Sequence, residues 1–311
     1  MARVNAPSAI PCAIPSGEQF TISGGGYTAI ATESGGALRL VEYDGRPVLD
    51  GFAESAMSSG GRGQLLMPWP NRIRDGKYSF GGTQYQLPLT EPARHNASHG
   101  LARWVAWSPV SVASDEVTLG YRLMAQTGYP WTLDLRVTYR VSTDGLEVTQ
   151  SATNLAATAA PYASGAHPYL LAGHGPIDEW SLHLPASTRM LSDDERLLPA
   201  GREDVGGTPY DYREARRIGE TVFNHAFGGL ERDAQGRATV TITGPDATTQ
   251  LWVDARHPWL MVYSADDTST PRVALAVEPM TAPVDAYNST ENLVTLEPGA
   301  TYAASWGIRA R

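Results

Sequence analysis

The sequence predicts an all-β fold, one large antiparallel β-sandwich. Three observations carry that reading. Short runs of period-two alternation recur along the chain, each bounded by Gly, Asp, Asn or Pro. The composition, with 31 Gly, 22 Pro, 8 Trp and 14 Tyr, suits tight turns around an aromatic interior. Helical periodicity is weak throughout.

Taken in order, residues 1–20 lack a long apolar core behind a basic end and are expected to be an N-terminal extension rather than a targeting segment. Residues 21–311 are expected to form a single domain, because all-β units often run past about 200 residues. No Ser/Pro-rich linker or fixed-period repeat divides them. "ALRLVEY" leads into the turn signal "DGRP"; "EVTLGYRL", "LDLRVTYRV" before "STDG", "LEVTQSAT", "ATVTITG", "TQLWVDA" and the last segment "YAASWGIRA" all alternate. "DGKYSFGGTQYQL" reads as a hairpin opened by Asp75-Gly76 and turned at Gly81-Gly82, with Tyr78, Phe80, Tyr85 and Leu87 on one face. "DYREARRIGE" is the best helical candidate. Long loops are expected at 52–75, 90–105 and 190–225, where polar and aromatic residues gather, as function-bearing loops on an all-β scaffold do.

Charge and motif content exclude several chemistries. A net charge of −9 without a basic block would repel a phosphate backbone, so no nucleic-acid partner is expected. Lys77 is the only lysine, which leaves almost no basis for Schiff-base catalysis. No apolar run is long enough for a spanning helix, so no membrane partner is expected. Cys12 is the only cysteine, and a chain without disulfides suits a reducing compartment; a cytoplasmic location is the expectation. His-Glu-x-x-His, Gly-x-Ser-x-Gly, Cys-x-x-Cys and Gly-x-Gly-x-x-Gly motifs are absent. His95 and His99 are four apart, a metal-ligand spacing only on a helix, and Gly100 makes a helix improbable there; no metal or other cofactor is expected. Nothing in the sequence specifies an oligomeric state.

General acid and base work remains, for which a histidine and a carboxylate are suited by their ordinary pKa values. His167 precedes Pro168 in "SGAHPYL", and Glu278 precedes Pro279 after the apolar run "VALAV". A residue before proline is held extended, so each side chain is expected to project at a fixed angle from a strand end. His257 also precedes a proline and has no evident chemical role, so this frame does not by itself identify a site. From the residues alone the fold is a sandwich with a polar, aromatic, sugar-sized pocket, open to catalysis or to binding.

The segments "PWPNRIRDGKYSFGGTQYQLPLTEPARHNASHGLARW", "GAHPYL", "FNHAF", "AVEPMTAPVDAYN" and "LEPGATYAASWGI" occur in an order that resembles the aldose 1-epimerases, the galactose mutarotase family. The resemblance runs from about residue 25 to the C-terminus, and its most specific part is the Asn-Arg-Ile hairpin followed by Asn-x-x-His-Gly. It implies the galactose mutarotase-like supersandwich, and an isomerase that interconverts the α and β anomers of a free aldose without cofactor. It further implies Glu278 as general base on the anomeric hydroxyl and His167 as general acid on the ring oxygen. His99, Asn71, Arg72 and Tyr169 match sugar-contacting positions. Asn224 stands where the family often has Asp, which alters the hydroxyl preference expected of the pocket. The "EPMTAPVDAYN" stretch resembles a bacterial branch that includes enzymes acting on sulfonated sugars. Arg62, Arg74 and Arg94 are the cations available for a sulfonated or phosphorylated substituent. Two further readings stay open: a non-catalytic carbohydrate-binding sandwich, and a glycoside hydrolase or lyase in which Asp285 would be the second carboxylate.

Overall fold

The computed structural model describes residues 13–311; Cys12 and most of the 1–20 extension lie outside the described residues. The first strand is Gln19–Gly24, so the extension's last two residues already belong to a sheet.

Two large antiparallel sheets dominate. In the nine-stranded sheet the spatial order is Ser108–Val112, Glu116–Leu123, Leu133–Ser142, Gly145–Asn154, Thr301–Ala310, Thr248–Val253, Ala238–Thr243, Ser181–His183 and Arg216–Arg217. Its long strands bury every second residue: Leu133, Leu135, Val137, Tyr139 and Val141 point inward from Leu133–Ser142. That is the alternation expected of a sheet with one face on a core. The eight-stranded sheet runs Pro199–Asp204, Ala186–Ser192, Asn224–Leu230, Trp259–Tyr263, Leu275–Met280, Gly165–Ala166 and Leu65–Leu66, with Tyr169–Leu170 also paired to Leu275–Met280. Here the central strand Leu275–Met280 is buried along its whole length. One face meets the common core, and loops cover the other.

Both sheets contribute to one apolar cluster, which joins Val148, Leu251 and Trp306 to Leu65, Leu260 and Val277. The sheets are also tied by buried hydrogen bonds, Gln150 Nε2 donating to the Gly165 carbonyl at 3.0 Å and the Thr249 hydroxyl to the Leu171 carbonyl at 2.6 Å. A smaller sheet, Gln19–Gly24, Tyr27–Thr32, Leu38–Tyr43 and Arg46–Pro47, attaches through Tyr27, whose hydroxyl accepts from the Ala310 amide at 2.8 Å.

The quoted alternating runs are all strands, and the architecture is the predicted one. The hairpin forms from Lys77–Phe80 and Thr83–Gln86, with Tyr78 opposite Tyr85 and their rings stacked at 5.2 Å. The helical expectation fails. Residues 211–220 form turns around the short strand Arg216–Arg217, because buried Tyr212 and Ile218 anchor a loop whose Tyr212 hydroxyl donates to the Ile218 carbonyl. The three expected loops also carry short strands, among them Leu65–Leu66, Arg72–Arg74, Asn96–Ser98 and Pro199–Asp204. Among the described residues no helix is long and apolar enough to cross a membrane.

Candidate active site

On the loop-covered side of the eight-stranded sheet lies a cavity of about 170 Å³. Its walls include Asn71, Arg72, His99, His167, Asn224 and Glu278, six of the seven residues expected as catalytic or sugar-contacting, together with Arg94. A larger groove of about 570 Å³ lies elsewhere, on the nine-stranded sheet, among charged side chains such as Arg140 with Glu147 and Arg309 with Asp144, which neutralise one another.

His167 and Glu278, 111 positions apart in the chain, meet in this cavity. His167 Nε2 lies 3.2 Å from Glu278 Oε1, with side chains only 8% and 3% exposed. His167 sits in the two-residue gap between Gly165–Ala166 and Tyr169–Leu170, held by its own amide on the Gln64 carbonyl at 3.0 Å and by the Gly63 amide on its carbonyl at 3.0 Å. Glu278 departs from the expected strand end. It lies inside Leu275–Met280, which continues through Pro279 because the opposite strand Trp259–Tyr263 keeps it in register.

Burial dominates the electrostatics of the pair. It pushes the Glu278 carboxyl up to about 8, against a smaller opposing pull from Arg72. It pushes the His167 imidazole down to about 3, assisted by the charges of Arg103 and Arg62. Each group resists its charged form, so near neutrality the pair holds one proton between them. Glu278 Oε2 and His167 Nδ1 make no hydrogen bond to another residue. Such unsatisfied buried atoms are uncommon in native proteins and point to groups kept free for a ligand.

The adjoining wall is built by Asn71 and His99, both in the left-handed region with φ of 53° and 61°, and the His99 ring meets that of His167 edge-on at 5.7 Å. They lock together: the His99 amide donates to the Asn71 carbonyl at 2.9 Å, and the Asn71 amide donates to His99 Nδ1 at 3.2 Å. Nδ1 as acceptor fixes the neutral tautomer, with Nε2–H as a donor. Burial, then Arg103, holds His99 well below the ordinary imidazole range, in agreement with that tautomer. Gly100 follows with φ +73°, and a Cβ there would lie 2.1 Å from the Met67 carbonyl oxygen, so the turn that presents His99 requires glycine. Arg72 makes two hydrogen bonds to Glu91, at 2.7 and 2.9 Å, and a third to Asn71 Oδ1 at 3.3 Å. The expected pocket arginine is thus also one half of a half-buried ion pair.

Tyr169 is not part of the cavity wall. It stands behind His167, ring stacked on ring at 5.0 Å and 13°, with its hydroxyl on the Gly60 carbonyl at 2.7 Å. Arg62 lies over the Tyr169 ring at 4.6 Å and is held by Asp50 at 2.9 Å, so it does not face the cavity. Gly61 packs against the imidazole so closely that a Cβ would lie 2.8 Å from His167 Cδ2. The loop 58–63 therefore clamps His167, and Tyr169 orients the imidazole.

Arg74 pairs with Asp285 at 3.5 Å. Asp285 is buried rather than solvated: its carboxylate accepts from the Arg74 amide, and its own amide donates to the Arg72 carbonyl. It therefore secures the Arg72–Arg74 strand and does not face Glu278 as a second acid. His95 pairs with Asp75 on the surface, away from His99, and His257 is buried against Asp254. Sequence reasoning missed Glu91, Leu197, Met261, Tyr263 and Asp267 in the wall. Glu91 lies in a flagged loop, whereas Asp267 sits in "SADDTSTPRV", whose turn composition hides a site residue.

Comparison with known proteins places the chain in a family. The sequence profile described as aldose 1-epimerase matches residues 18–309. The chain is 32% identical over 294 residues to the uncharacterized protein YihR of Escherichia coli K12, covering 94% of this chain and 93% of that one. It is 29% identical over 170 residues to the galactose mutarotase of Rattus norvegicus, across 52% of this chain and 48% of the relative. The GalM/aldose epimerase homologue from C. elegans superposes with a TM-score of 0.84 at 20% identity, covering 94% of this chain and 98% of that one. Galactose 1-epimerase from Lactobacillus acidophilus NCFM gives 0.77 at 18% identity, over 92% of each chain. The structural likenesses establish the fold, and the profile match over nearly the whole length establishes membership: this chain belongs to the aldose 1-epimerase family.

Proposed function

We propose that the protein is an aldose mutarotase in which Glu278 and His167 exchange protons with the anomeric hydroxyl and the ring oxygen of a free sugar. The observation that carries this reading is the buried His167–Glu278 pair, 3.2 Å apart in a polar cavity, each with one atom left unpartnered.

The proton count follows from the pair. A sugar entering with Glu278 ionised and His167 protonated gives its O1–H proton to the carboxylate. As the C1–O5 bond breaks, its electron pair takes the imidazolium proton, and the product is the free aldehyde. Rotation about C1–C2 and reclosure on the other face return both protons to their starting groups. The pair carries one proton in excess of its fully deprotonated form in both halves of the cycle, and burial favours its neutral form, Glu278 protonated and His167 neutral, which is the form present while the sugar is open-chain. Each transfer contributes roughly 10²- to 10⁴-fold. His99 Nε2–H and the Asn71 carboxamide supply hydrogen bonds that hold the ring for it. No cofactor enters this balance.

The test is anomeric relaxation of freshly dissolved α-glucose and α-galactose, followed by polarimetry or NMR, across a panel that includes phosphorylated and sulfonated aldoses. Acceleration of at least one sugar is expected, and unchanged relaxation of all of them overturns the reading. A mutarotase for an anionic sugar is the second reading, favoured by Arg94, which faces the cavity and shares the single carboxylate of Glu91 with Arg72. A binding-only sandwich would hold sugar without accelerating any relaxation.

A further inference from the structure

We infer that Asp267, with Asn224 beside it, selects the substrate by its hydroxyl pattern, and that the sugar presents free, uncharged hydroxyls to this wall. The inference rests on the mutarotase reading and names the substrate feature it requires.

Three carboxylates face the cavity: Glu278, Glu91 and Asp267. Glu278 is engaged with His167, and Glu91 is saturated by two bonds from Arg72, one from Asn96 Nδ2 at 3.4 Å, and Arg94 at 3.5 Å. Asp267 has a single side-chain partner among the described residues, the Tyr263 hydroxyl, which donates to Oδ1. Its second oxygen is exposed and has no partner among the described residues. The Asn224 carboxamide likewise has no hydrogen-bond partner among the described residues; only its backbone amide is engaged, on His225 Nδ1 at 3.2 Å.

These two groups share one frame. Asn224 is the direct cross-strand partner of Tyr263, the residue that holds Asp267. The loop 264–273 that carries Asp267 is tied at both ends. At one end the Phe223 amide donates to the Ser264 hydroxyl at 2.8 Å and the Ser264 amide to the Phe223 carbonyl at 3.0 Å. At the other, Arg272 bonds Asp178, Asp266 and the Gly219 carbonyl. A site placed this way pairs a pure acceptor with a group that both donates and accepts, the arrangement that reads two neighbouring hydroxyls. It also repels a sulfonate or phosphate on that side, which leaves the Arg94 side as the one that tolerates an anion.

Anomerisation kinetics of the wild type, D267A, D267N, N224D and the D267A/N224D double variant, over a panel of hexoses and pentoses with their single epimers and deoxy analogues, test this. D267A is expected to raise KM about 10- to 100-fold for the preferred sugar while kcat stays within about threefold, the loss of a hydrogen bond to a charged group. For the analogue lacking the recognised hydroxyl, D267A and wild type should differ by less than about twofold. In the double variant the carboxylate at 224 should recover part of the lost KM. A KM within about twofold of wild type for every sugar in D267A overturns the inference, as does a loss confined to kcat. If the wild type accelerates no sugar, the mutarotase reading fails instead, and saturation-transfer NMR of the same sugars on wild type and D267A still decides whether Asp267 reads hydroxyls.

Discussion

In the nine-stranded sheet, Gln150, Asn154 and Thr249 are fully buried and every one is hydrogen-bonded. Gln150 donates to the Gly165 carbonyl and accepts from Trp306 Nε1, Asn154 donates to the Thr158 and Leu296 carbonyls, and Thr249 donates to the Leu171 carbonyl. In the eight-stranded sheet, equally buried Glu278 and neighbouring His167 each keep an atom without a partner. The difference assigns the sheets different work. Gly165 and Leu171 flank His167 in sequence, so the satisfied polar groups of one sheet grip the segment that carries the imidazole. The other sheet tolerates unsatisfied groups where a substrate would complete them.

The largest expected effect comes from removing the unsatisfied pair. Glu278→Gln and His167→Asn should each lower kcat by at least about 100-fold while sugar still binds by NMR titration; near-full rate in either would refute the assignment. Because Glu278 titrates near 8 in the fold and near 4.5 when unfolded, its ionisation costs stability that begins above pH 4.5 and is complete above pH 8. Glu278→Gln removes that cost, so its Tm advantage over wild type should grow across this window and vanish below it. The same titration should make kcat/KM fall above about pH 8, where the pair loses its proton; a flat profile to pH 10 would break the link.

A smaller effect is expected on the supporting side. Gln150→Leu leaves the Gly165 carbonyl and Trp306 Nε1 unpartnered and should cost about 1–3 kcal/mol in denaturant melts. It should also lower kcat about three- to tenfold if the grip on the His167 segment matters, and an unchanged kcat would confine Gln150 to stability. Smallest is Tyr169→Phe, which keeps the stack on His167 and loses only the bond to the Gly60 carbonyl. It should reduce kcat a few-fold without changing KM. A raised KM would mean that Tyr169 touches the sugar after all.

The strands were legible because alternation against a core is a local pattern: Leu133–Ser142 and Gly145–Asn154 display it without reference to any partner. Leu275–Met280, buried on both faces, has no such alternation, and Pro279 after the run "VALAV" reads as a strand end, which is where Glu278 is expected from the sequence. The helical expectation at 211–220 failed because a ten-residue stretch with two apolar anchors follows whatever tertiary contact those anchors find. Within the site, Asn71, Arg72, His99, His167, Asn224 and Glu278 were nameable from ordered motifs. Asp267 was not, since a lone carboxylate in a turn-rich segment has no sequence signature until Tyr263 and Asn224 are set beside it.

By itself, then, the sequence determined the strand content and the turns, which reside in side-chain type and short-range backbone preference, and its resemblance to the family named His167 and Glu278 as the candidate acid and base. Only the tertiary structure decided that His167 and Glu278 touch, that Tyr169 stacks behind the imidazole instead of lining the cavity, and that Asp285 holds the Arg72–Arg74 strand while Asp267 lines the cavity with one oxygen on Tyr263. Those outcomes depend on burial and on partners far apart in the chain. A carboxylate's role follows from which donors reach it, and that is a property of packing.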